Sequence, residues 1–117
     1  MRLSQAAPFT ARLRFPHGYQ VPPHYHPNVE RVTVLDGTFH LGMGETADPG
    51  KLTPLPTGSI AIMPPGMRHF IRTEGPTVIQ LHGTGPWSTT YVDPADDPRK
   101  QWEELTWLKQ HPSSSSS

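Results

Sequence analysis

The chain has 117 residues, enough for one domain and too few for two. Its ten basic and ten acidic residues cancel, which excludes the cationic footprint of a nucleic-acid binder and the polybasic patch of a protein held on an anionic membrane. Cysteine is absent, so disulfides, thiolate metal sites, iron–sulfur clusters and cysteine nucleophiles are excluded as well.

Leu, Ile, Val and Phe make up about a fifth of the chain, close to the lower limit for a packed core. Fifteen prolines and ten glycines interrupt it throughout. Proline removes the N–H that a helix interior requires, so short strands joined by turns are expected rather than long helices. Residues 1–7 carry one Arg and no apolar stretch, so no signal peptide is read in this chain and a cytoplasmic location is expected. No apolar run approaches the roughly 18 residues of a membrane span.

In chain order, Phe9, Ala11, Leu13 and Phe15 alternate with Thr10, Arg12 and Arg14, the period of a half-buried strand. Residues 20–26 form the next predicted strand, with Pro22 and Pro23 placing it at an edge or bending it. Pro27-Asn28 marks a turn, and 30–35 is β-branched and strand-like. Asp36-Gly37 is a hairpin signal, predicting 38–43 as the returning partner. A loop over 42–50 and strands over 51–55, 59–63, 69–73, 77–82 and 88–92 follow, separated by Gly- and Pro-rich turns. About nine short strands at this spacing predict an antiparallel sandwich or barrel. A C-terminal helix is expected, capped by Asp97 with Pro98 in its first turn and Trp102, Leu105 and Leu108 on one face. Residues 1–112 are read as a single domain and the serine run 113–117 as a disordered tail.

Seven histidines stand in the chain. His24 and His26, two apart on a strand, share a face about 6.6 Å apart along the backbone and can converge on one ion. Glu30 would lie too far along a straight strand, but the Pro27-Asn28 turn lets it face the same spot from the neighbouring strand. His69 opens a separate strand after Pro64-Pro65-Gly66. Imidazoles with one carboxylate suit a divalent transition metal: Fe, Mn, Ni, Cu or Zn.

The glycines and prolines around these residues resemble the cupin superfamily. Its first motif, G-x5-H-x-H-x3-E-x6-G, is matched by Gly18, His24, His26, Glu30 and Gly37. Its second, G-x5-P-x-G-x2-H-x3-N, is matched by Gly58, Pro64, Gly66 and His69, with Thr73 in place of the final Asn. That Asn is not a metal ligand in cupins. The resemblance spans roughly residues 9–92. It implies an all-β, cupin-type barrel (a double-stranded β-helix, or jelly roll) that holds one divalent metal ion through His24, His26, Glu30 and His69. Four protein ligands would leave two octahedral positions open to a substrate or O₂.

If Glu30 points inward, Val32 and Val34 follow by parity, and His69 likewise brings in Ile71 and Thr73. Gln80 and His82 share a face opposite Ile79 and Leu81; they are candidates either for acid–base work beside the metal or for an outward, solvent-facing pair. His40 is expected outside, His17 and His111 solvated, Arg72 on the surface and Trp87 in packing; Arg68 stays open. The function expected is a metal-dependent enzyme acting on a small organic molecule, dioxygenase-like by resemblance. A lyase or isomerase, or a module that binds or senses a small molecule without turnover, are the alternatives. A metal-free sugar-binding or epimerase-like cupin fits poorly with a complete ligand set. A core this thin gains from extra burial, so a homodimer is expected, using 9–15 or the Trp102–Leu105–Leu108 face.

Overall fold

A computed structural model describes residues 5–98. Its nine strands are β1 (Pro8–Phe15), β2 (Gln20–Tyr25), β3 (Glu30–Asp36), β4 (Phe39–Met43), β5 (Leu52–Leu55), β6 (Ile60–Met63), β7 (His69–Thr73), β8 (Thr77–Thr84) and β9 (Thr90–Tyr91). All nine predicted strands are present, shifted by a residue or two at their ends. Trp102, Leu105 and Leu108 of the expected helix lie outside the described residues.

The strands form two antiparallel sheets, one ordered β1-β8-β3-β6 and the other β5-β4-β7-β2-β9. Val32, Val34, Met63 and Ile79 from the first sheet pack against Phe39, Leu41 and Ile71 from the second. Phe15, Val21, Leu55 and Ala61 close over this cluster. The result is the all-β double-stranded β-helix that the sequence motifs imply.

Two local expectations change. The Asp36-Gly37 turn does not make a hairpin, because β3 pairs with β6 and β8 while β4 pairs with β5 and β7. The turn instead carries the chain from one sheet to the other. A hairpin would set Val32 and Val34 beside Phe39 and Leu41 in one sheet; crossing over lets these faces bury each other. Gly37 has φ +80°, and a Cβ there would press on the Pro76 carbonyl, so only glycine fits the corner. Glu30, for the same reason, reaches the histidines from the facing sheet rather than from a neighbouring strand.

The prolines of β2 bend it without sending it to an edge, since β2 lies between β7 and β9. Val21 pairs with Ile71 and His24 with His69, so three steps along β2 match two along β7. The extra residue is a bulge at Pro22-Pro23, where missing N–H groups cost no ladder bonds.

Candidate metal centre

The bulge decides where the histidines point. Val21 packs on the core, and in an unbroken strand His24 and His26 would face the opposite side. One inserted residue restores them to the inner face. His24 and His26 are accordingly 4% and 7% exposed, Glu30 5% and His69 1%. The Pro64-Pro65-Gly66 turn is tied back by Gly66 N–H donating to the His26 carbonyl at 2.9 Å, which brings the start of β7 beside the end of β2.

Each of the three imidazoles donates Nδ1–H to a backbone carbonyl: His24 to Pro22 at 2.7 Å, His26 to Ser88 at 2.9 Å and His69 to Met67 at 2.9 Å. A carbonyl can only accept, so the proton of each neutral ring sits on Nδ1 and the Nε2 lone pair is free. One ligating atom from each ring lies within 4.8 Å of those of the other two. Glu30 Oε1 stands 3.2 Å from His69 Nε2 and 3.6 Å from His26 Nε2.

Glu30 Oε1 and His69 Nε2 are both buried and lack a hydrogen-bond partner. Two lone-pair atoms facing each other in a buried site repel unless something positive lies between them. Donors about 2.1 Å from one metal and at right angles stand about 3 Å apart, so the spacing suits a shared divalent cation. Burial, reinforced by the neighbouring His69, pushes the His24 pKa down to about 4. Burial also holds His26 below its usual range, against the opposing pull of Glu30 and the Ser88 carbonyl. Both shifts keep the rings neutral, the form that ligates.

Two further residues shape the centre. Trp87 stacks on His26 at 4.4 Å and 24°, with Phe9 meeting its ring edge-on at 5.1 Å. Trp87 is thus a packing residue, as expected, but the ring it packs is a candidate ligand. Asn28 Nδ2 donates to the carbonyls of Thr84 and Pro86 at 2.7 and 3.0 Å, fixing the loop that delivers Trp87. The sequence marked Asn28 only as a turn residue; its partners are main-chain atoms and leave no side-chain signature.

Gln80 and His82 do not reach this centre. They stand opposite Thr33 and Arg31 on β3, on the outer face of the four-stranded sheet. There Arg12 Nε donates to Gln80 Oε1 at 2.8 Å, Gln80 Nε2 lies 3.1 Å from His82 Nε2, and His82 Nδ1 lies 3.1 Å from Thr10 Oγ1. Of the two placements open for this pair, the outward one holds, because Ile79 and Leu81 take the core side of β8. His40 faces outward near Glu74 at 3.9 Å. His17 and Arg72 are exposed. Arg68 lies over the Tyr25 ring at 3.8 Å and donates to the Gly66 carbonyl at 2.6 Å.

Comparison with known proteins agrees with this fold. The cupin domain matches residues 11–82. Germin-like protein 1-1 of Oryza sativa subsp. japonica is 34% identical over 83 residues, covering 63% of this chain and 38% of that protein. Germin-like protein 5-1 of the same plant is 34% identical over 68 residues, covering 57% and 31%. The chain therefore spans about a third of the curated relatives it matches.

Among solved structures, a double-stranded β-helix protein of Klebsiella pneumoniae superposes with a TM-score of 0.62 at 22% identity, over 77% of this chain and 78% of that one. Oxalate oxidase in complex with glycolate gives 0.60 at 23%, over 74% and 46%. Salicylate 1,2-dioxygenase of Pseudaminobacter salicylatoxidans gives 0.61 at 14%, over 73% and 25%. At these identities the structural likeness speaks to the fold.

Proposed function

The chain belongs to the cupin family, and on that premise we propose that it is a metal-dependent enzyme, dioxygenase-like, acting on a small organic molecule. The observation that carries this is the buried cluster of three imidazoles, each with a ligating nitrogen within 4.8 Å of the other two, with Glu30 Oε1 beside two of them at 3.2 and 3.6 Å. His24, His26, Glu30 and His69 would hold one divalent metal, which when bound offers its remaining positions to O₂ and to a substrate oxygen. Glu30 contributes one negative charge and so matches half of the cation's. The carbonyls of Pro22, Met67 and Ser88 hold each ring in its ligating tautomer. Relatives of the same fold include proteins named as an oxalate oxidase and a salicylate dioxygenase, which supports oxidation of a small acid or phenol over other cupin chemistry.

The test is elemental analysis of protein purified without a chelating column, followed by anaerobic reloading and O₂ uptake with candidate acids, phenols and diketones. About one metal per chain and substrate-dependent O₂ consumption are expected. Turnover that survives His26→Ala would remove the metal from the mechanism.

A second reading has its own support. With Gln80 and His82 on the outer face, neither expected acid–base side chain reaches the centre; beyond the candidate ligands, Tyr91 stands beside it, its ring 5.8 Å from that of His24. That suits either chemistry carried by the metal alone, including a lyase or isomerase, or a binding and sensing role. Saturable ligand binding to loaded protein without product would favour the sensor. We also propose that the protein is a homodimer, with residues 9–15 as its contact. β1 ends the four-stranded sheet and pairs only with β8 among the described strands. Sedimentation at micromolar concentration checks this, and a monomer would end it.

A further inference from the structure

The two sheets do not close on each other at β5 and β6, each of which ends its sheet. A cleft of about 520 Å³ opens between them, lined by Leu41, Met43, Lys51, Thr53, Leu55, Ala61 and Ile62. Its volume lies within the range of small-molecule sites.

The ladders relate this cleft to the metal centre. Met43 stands directly opposite His69, and Leu41 opposite Ile71, across β4 and β7. Residues directly opposite in a ladder share a face, so Met43 both lines the cleft and adjoins a candidate ligand. From the other sheet, Ala61 stands opposite Val32 and Met63 opposite Glu30. Lys51 immediately precedes β5, whose Leu52 pairs with Gly42. It ends the short 3₁₀ turn Pro49–Lys51 that leads into β5, and it lines the cleft together with Met43, Thr53 and Leu55. His24, His69 and Met43 thus form one row across β2, β7 and β4, with Lys51 at its far end, just ahead of β5. Lys51 lies two strand spacings from His69, or about 10 Å between backbones.

The chemistry of the row is uneven. Its metal end is polar, its middle is Met43 with Leu41, Leu55 and Ala61 around it, and its far end carries a single ammonium. No carboxylate of the described residues forms an ion pair with Lys51. No aromatic ring lines the cleft; the walls are aliphatic and thioether, which fit a flexible chain.

We propose that this cleft is the substrate-binding arm of the centre and takes small aliphatic monocarboxylates, with the carboxylate on Lys51 and the apolar end toward His69. The assignment rests on the metal-centre reading for its link to chemistry. It adds an orientation: the carbon presented to the metal lies at the end of the molecule away from its acid group. One lysine balances one carboxylate; a phosphate dianion would ask for more donors than the rim supplies.

The test uses metal-free full-length protein, so its outcome does not depend on whether the centre binds metal. Hexanoate and hexan-1-ol are titrated while backbone amide resonances are followed by NMR. Hexanoate should shift the amides of Met43, Thr53, Ala61 and Ile62. Hexan-1-ol should shift the same amides but bind about tenfold more weakly, and Lys51→Gln should reduce hexanoate to the level of the alcohol. Lys51→Arg should restore most of the difference. Equal binding of acid and alcohol, hexanoate binding unchanged in Lys51→Gln, or no shift at the cleft would each overturn the assignment. Absence of metal from the purified protein, with these shifts intact, would count against the enzyme reading alone.

Discussion

The barrel interior and the outer face of the four-stranded sheet both carry histidine, and they use it differently. Inside, each ring of His24, His26 and His69 gives Nδ1–H to a main-chain carbonyl and keeps Nε2 free. Outside, His82 has both nitrogens within hydrogen-bond distance of side chains, Thr10 and Gln80. Gln80 Oε1 already accepts from Arg12, so its amide donates to His82 Nε2 and no lone pair is left over. A carbonyl partner prepares an imidazole for a metal; a donor on the second nitrogen consumes that capacity.

This contrast can be broken most directly at the ligands. His69→Ala should lower metal affinity more than about 100-fold, since removing a ligand should exceed the loss from a supporting group. His82→Ala should leave metal stoichiometry at the wild-type value. Isothermal titration with Co²⁺ or Zn²⁺ reads both, and equal losses in the two variants would erase the distinction.

The next effect is one of pH. His24 has a folded pKa lowered from 6.5 to about 4, so between those values the unfolded chain binds a proton that the folded chain refuses. The metal-free protein should hold its full stability above pH 6.5 and lose ~3 kcal/mol as pH falls to about 4, with His26 adding in the same direction. Urea unfolding at pH 7.5 and 4.5 measures this. A flat profile would mean that the inner rings are not held neutral.

A smaller effect is expected at Trp87. Trp87→Ala removes the ring stacked on His26 and should weaken metal binding about tenfold without abolishing it. Trp87→Phe should recover part of the loss, as a purely structural role elsewhere in the fold would not. Least of all, Gln80→Ala should cost no more than about 1 kcal/mol of stability, because its hydrogen bonds lie at the solvent-facing side of the sheet. Thermal unfolding checks it.

Much of this was written in side chains. Alternation at Phe9 to Phe15, the turn residues between strands and the spacing of His24, His26, Glu30 and His69 are local patterns, and a local pattern survives in a linear string. What the string hides is of two kinds. Pairing across distant positions decides that Asp36-Gly37 crosses between sheets, and nothing near that dipeptide reports which face β4 will bury. Main-chain partners, such as the carbonyls of Pro22, Met67 and Ser88, belong to residues whose identity does not matter to the bond. Gln80 and His82 fall between: their shared face was readable, but its direction depended on Ile79 and Leu81 winning the core. The cleft at Lys51 was invisible for the first reason, since its walls come from three strands.

The bulge in β2 has a consequence of its own. Val21 and His24 differ in parity yet face the same way only because one residue is unpaired between them. Straightening that bulge without shortening the chain, so that every residue of β2 paired in register with β7, would leave every coordinating side chain in the polypeptide and turn both imidazoles of β2 to the opposite face. An inventory of metal-binding residues would register no change, while the protein would have lost half of its donors. In this barrel the coordination sphere is encoded by a phase as much as by a composition.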